Sequence, residues 1–417
     1  MHNIDKMGVG RLIVVITAGG LAISQTRWAG TDSSRSAAGR FSEHQMITKI
    51  LRQGRALNLG AVEARMQRLY YFDNIKIVLI IFVILIHSGL AYIPNAEGWT
   101  PSYPGPLPFA DVLVVGTVEA VAGAFAMALF FFISAYLLVG SFDRKGRAKF
   151  LKDRLVRIGI PLVGSAVLWF IVLAAVGIGY VFAGWLWFLV YLLILDVAYS
   201  VWRRFDVTVR PVACPRAGTL VLVALVLGAA NFVVRVWYPT DVWVLWHVVE
   251  PAHIPLYALF MIGGILAFRN GWLDTISASV LKVWGPITVV ALCGVPVFIA
   301  VFGSSEVSGG FSTFALLSAF WEAFLSVGIC TCMLLVFKLR WNVTGRVKAA
   351  LAKNVYTVYL IQVPIILVLQ GYFIQADPIK RPPLLQFVFV AVFATVFCFL
   401  ISNYIVRKIP YADRVLF

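Results

Sequence analysis

The chain has 417 residues, of which 61% are hydrophobic and 13% charged, where a soluble domain carries about 25% charged residues. That excludes a water-soluble enzyme built on one large core and points to a polytopic α-helical membrane protein. The net charge of +16 does not indicate nucleic acid, because Lys and Arg lie in short loops between apolar runs rather than on an exposed polar domain.

Residues 1–65 differ from the rest. The apolar stretch Leu12–Ile23, behind Lys6 and Arg11, is signal-peptide-like in outline. A polar segment rich in Arg, Ser, Gly and Ala follows and reads as disordered. Met66 opens a plausible natural start, so 1–65 reads as a poorly structured extension, and 66–417 as the membrane domain. The fold class expected there is all-α, with ten spans at 75–94, 112–139, 155–176, 182–202, 218–238, 254–269, 281–302, 313–337, 353–374 and 385–406. Arg144–Arg157, Arg203–Arg216, Arg269–Lys282 and Lys338–Lys353 fill alternate loops, joined by Arg68, Lys76, Arg407, Lys408 and Arg414. The other side has only Arg235, Lys380 and Arg381, with Glu97, Asp241, Glu250, Glu306 and Asp377, and Trp99 among prolines. The bias puts both ends of the body in the cytoplasm. Cys214, Cys293, Cys330, Cys332 and Cys398 suggest small apolar filler rather than a metal or redox pair.

An ionisable side chain inside an apolar run costs about 2–4 kcal/mol on insertion scales and marks a functional site by default. His87 is such a residue, expected near the middle of the first span. A neutral imidazole there can take a hydroxyl proton; the plainer reading is a histidine satisfied by a neighbouring carbonyl. Lys76, eleven residues earlier, shares its helix face at a rise of roughly 16 Å; Asp73 falls near the same stripe. Glu119, Asp196 and Glu322 are acids within spans. Glu322, flanked by aromatics, could orient the His87 ring, bind a sugar hydroxyl, or serve as an interhelical contact. His247, Glu250 and His253 have a spacing of three, but Pro251 and Pro255 interrupt the helix, which disfavours a metal site. Ser141–Arg157 is a strongly basic loop following a span that bears Ser134 and Tyr136; it would suit a phosphate-rich ligand.

These residues resemble acyltransferase family 3, the integral-membrane acyltransferases, in their bacterial branch. The segments that match are Tyr71–Lys76 running on to His87; Phe130–Leu138 with Ser141–Gly146 and Phe150–Pro161; Leu186–Leu189; Tyr257–Leu273; and Asn354–Ile361. The likeness covers roughly 69–406. It implies transfer of an acyl group, usually acetyl from acetyl-CoA, to a hydroxyl of a carbohydrate or glycolipid in the cell envelope (O-acetylation), at the bacterial inner membrane and without metal. By position it implies His87 as the catalytic histidine; Glu322 is the second catalytic candidate, on the strength of its own place inside a span. Lys76, Arg154, Arg157, Ser134 and Tyr136 would hold the donor, and Trp187, Tyr359 and Gln362 the acceptor. Lys76 stands where the family has arginine, Ala135 where glycine is common, and Gln362 where histidine is frequent. The alternatives are a transporter or flippase for a polar lipid or saccharide, and an inactive scaffold relative.

Overall fold

In the computed structural model, the residues described are 13–17, 20–24, 69–94, 101–175, 184–205, 211–240, 242–245, 248–302, 309–376, 381–410 and 412–416. Glu97, Trp99, Asp241, His247, Glu306, Asp377, Arg68, Arg210 and Lys380, and most of residues 1–65, lie outside them. The chain divides into two units, Met1–Ala64 and Arg65–Phe417. In the first, β1 (Ile13–Thr17) and β2 (Gly20–Ser24) pair antiparallel, with Thr17 opposite Gly20.

The second unit is helical. Its long helices are α1 (Tyr70–Gly89), α2 (Phe109–Lys145), α3 (Arg147–Arg154), α4 (Ile160–Ala175), α5 (Trp187–Trp202), α6 (Ala217–Arg235), α7 (Ile254–Asn270), α8 (Val280–Phe302), α9 (Thr313–Arg340), α10 (Arg346–Gly371) and α11 (Pro383–Tyr404). With α3 and α4 counted as one, ten helices among the described residues are long and apolar enough to cross a membrane. Only helices and closed barrels satisfy every backbone group without water, which is why apolar runs of this length fold this way. The short sixth span gains a 3₁₀ turn at Pro251–His253 ahead of α7 and becomes long enough.

The loop expected over Ser141–Arg157 is instead helical. α2 continues to Lys145, Gly146 breaks it at φ 71°, and α3 then runs through a π turn (Leu155–Gly159) into α4. Ala, Lys and Arg are good helix formers, so nothing but the glycine interrupts the rod. At 37 residues α2 is about 55 Å long, more than the ~30 Å of hydrocarbon, so its basic last turns extend past the apolar layer.

α2 is the hub, packing on α1, α7, α8 and α9. Its closest neighbour is α7: a Cβ on Gly264 would meet the Phe132 carbonyl and the Ala135 side chain. Small residues let membrane helices approach this closely. α4 and α8 lie at the rim, exposing Val163, Val167, Phe170, Val289, Val290 and Val297 to what would be lipid. Two of the prolines inside helices of this body, Pro161 and Pro364, free carbonyls four residues back, and donors from other helices take them. Opposite Pro161, the Arg157 carbonyl accepts the Tyr356 hydroxyl at 2.8 Å. Opposite Pro364, the Leu360 carbonyl accepts Trp169 Nε1 at 3.2 Å.

Candidate active site

His87 lies in the last turn of α1, not at its midpoint, because the helix starts at Tyr70 and ends at Gly89. Its Nδ1 is 2.8 Å from the Val83 carbonyl oxygen one turn back. A carbonyl only accepts, so Nδ1 carries the proton, and in the neutral ring the lone pair belongs to Nε2. The plainer reading of His87, a ring satisfied by a neighbouring carbonyl, holds for Nδ1. The carbonyls of His87 and Ser88 accept from Gln370 Nε2 on α10, at 3.1 and 3.2 Å.

The basic residues gather where α1, α10 and α4 begin and α2, α5, α7 and α9 end. Lys76 pairs with Asp73 at 2.8 Å on its own helix. Tyr136 is buried edge-on between Phe72 of α1 and Phe268 of α7, which places it beside the Asp73–Lys76 turn. Ser134 is half-buried on the same helix. Arg154 Nε lies 3.4 Å from Asp196 of α5, and its guanidinium sits over the Phe150 ring. Arg157 leaves the π turn with its side chain exposed. Arg269 is held in a two-bond fork by Asp143, at 2.6 and 3.0 Å, and donates to the Tyr199 hydroxyl at 2.6 Å. Arg203 reaches the same Asp143 at 4.0 Å. Asp196, one of the acids within spans, is therefore the carboxylate that tethers Arg154.

At the other end the side chains form a second polar site. Glu322, nine residues into α9, pairs with Arg235 of α6 at 2.6 Å and with His253 Nε2 at 3.4 Å. His253 Nδ1 lies 2.8 Å from Glu250. The expectation that Glu322 orients the His87 ring is corrected here: its carboxylate is taken by Arg235 and His253. The reason is packing, since α6 lies along α9 and brings a 1%-exposed guanidinium to the acid, and a charge in an apolar layer is satisfied by its nearest opposite charge.

Aromatic rings continue this site. Tyr257 stacks on His253 and on Trp187, with centroids 5.8 and 5.4 Å apart. Trp187 also meets Trp243 and Tyr191. Tyr359 packs against Phe188 and donates its hydroxyl to the Trp185 carbonyl. Gln362, one turn beyond Tyr359, is fully buried, and neither end of its amide has a hydrogen-bond partner among the described residues. The structure therefore joins Trp187 with Tyr359 and, through Tyr257 and His253, with Glu322. Sequence reasoning missed Arg235 and Gln370. Arg235 left a trace, because Asn231 and Arg235 sit four apart on an otherwise apolar helix and share its face. Gln370 left none.

A ten-span helical body with a titratable ring in one span, cations at one end and a polar, aromatic site at the other has the build of a membrane-embedded enzyme. The family model described as "Acyltransferase domain", that of acyltransferase family 3, matches residues 69–403. The chain belongs to that family and is an integral-membrane acyltransferase. No curated protein and no solved structure matches it.

Proposed function

We propose that the protein moves an acetyl group from acetyl-CoA to a hydroxyl of a carbohydrate or glycolipid of the cell envelope, in the bacterial inner membrane with its basic end in the cytoplasm. The observation that carries this reading is the His87 ring, whose Nδ1–H is spent on Val83 so that Nε2 is the basic nitrogen. Exposed Arg157, with Arg154 and Lys76, supplies charge for the donor's phosphates, and Ser134 and Tyr136 supply hydroxyls to it on the helix that ends there. Trp187 and Tyr359 offer aromatic surface to the acceptor, Gln362 an amide, and Glu322 a carboxylate.

In the reaction, Nε2 of His87 takes the acceptor hydroxyl's proton as its oxygen attacks the thioester carbonyl. The new C–O bond forms, the C–S bond breaks, and the proton passes from the imidazolium to the departing thiolate. No metal is required. Purified protein given radiolabelled acetyl-CoA and envelope membranes should label envelope glycan or lipid, and His87→Ala should abolish labelling while keeping wild-type expression. Full labelling by His87→Ala would remove the histidine from the chemistry; no labelling by wild type would return the inactive-scaffold reading.

A further inference from the structure

The last carbonyls of a helix have no partner within it, and inside a membrane no water replaces them. At the end of α1, Gln370 meets two of them with one amide nitrogen, those of His87 and Ser88. Two carbonyl oxygens can be met only by a donor, so the orientation of the carboxamide is fixed. The side chain is 0% exposed and comes from the last turn of α10, ahead of Gly371 and the π turn Tyr372–Ala376. The His87 ring folds back onto Val83 within the same turn that Gln370 holds. Its direction is thus inherited from the backbone of that turn.

We propose that Gln370 is a positioning residue: it clamps the His87 peptide and thereby aims the imidazole at the reacting hydroxyl. This rests on His87 being the base. It goes further in stating that α10 sets the geometry of a histidine carried by α1. The competing explanation is that Gln370 caps α1 for stability alone, as any buried amide could.

The two part experimentally. Gln370→Met keeps the volume and removes the donor. Acetyl transfer from radiolabelled acetyl-CoA should then fall about 10- to 100-fold in kcat, the loss that a misplaced catalytic group brings, with the KM for acetyl-CoA within about two-fold. Gln386→Met is the control. Gln386 is another buried glutamine, whose Nε2 donates to the Arg381 carbonyl, and its loss should leave kcat unchanged. Gln370→Asn, which keeps a donor but shortens the reach, should give an intermediate kcat. An unchanged kcat in Gln370→Met, a fall matched by Gln386→Met, or failure of both Gln370 variants to fold would assign the residue to stability and overturn the proposal. His87→Ala is assayed alongside: if it retains transfer, the assignment of the base has failed, whatever Gln370 does.

Discussion

Arg235 is the residue whose environment is least forgiving. Its guanidinium is 1% exposed and lies 2.6 Å from Glu322. Breaking a buried ion pair by removing one partner costs about 3–5 kcal/mol, because the remaining charge is left uncompensated. Arg235→Ala should therefore lower the melting temperature in detergent sharply, and adding Glu322→Gln should restore part of it; equal melting of Arg235→Ala and wild type would show that the pair does not stabilise the fold. At this scale the sequence was half legible. An acid inside an apolar run flags itself, and Glu322 did so. Its partner was hidden, because the pair is made by α6 lying along α9, and spacing along a chain says nothing about which helices touch. The same limit applied to His87: the residue stood out, but its tautomer depends on a backbone oxygen and its placement in the last turn depends on where α1 begins.

Among elements, the crossing of α2 and α7 decides how the hub is built. Gly264 is there because any side chain would strike the Phe132 carbonyl and Ala135, and a backbone oxygen cannot rotate away. Gly264→Ala should cost about 1–3 kcal/mol through overpacking, whereas Gly123→Ala on α2, which meets nothing within 4 Å, should be neutral or slightly stabilising. Thermal melts of the two variants, read by loss of soluble protein after heating, test the contrast; similar melting would mean the helices can separate without cost. Proline placement shows a related logic. Pro161 and Pro364 each release a carbonyl, and Tyr356 and Trp169 bind the two that result. Prolines in a span can be read from sequence. The donor that compensates each one comes from another helix and cannot.

The whole molecule has a polarity that the charged residues impose. Positive loops stay on the cytoplasmic side because translocating them is unfavourable, which is the basis for placing the basic end inward. Cys214 offers a direct test, since it precedes α6 at that end and the other cysteines lie in spans. A membrane-impermeant maleimide should label Cys214 in inverted vesicles and not in spheroplasts; the reverse pattern would turn the molecule over. Burial pushes the Cys214 thiol up from its usual range. The thiolate is the reactive form, so labelling should be slow near neutrality and accelerate as pH rises.

Hydrophobic run length determined that this is a membrane protein with ten candidate spans, because the bilayer demands about twenty apolar residues per span wherever they occur, and the alternation of Lys and Arg between the runs marked the basic end. An intramembrane histidine, and the order of motifs around it, were equally visible in one dimension. Helix packing decided the rest: that Glu322 belongs to Arg235 and His253 rather than to His87, and that α10 grips the end of α1. Those outcomes depend on which faces meet across the bundle, where a buried polar group must find a partner among its neighbours in space.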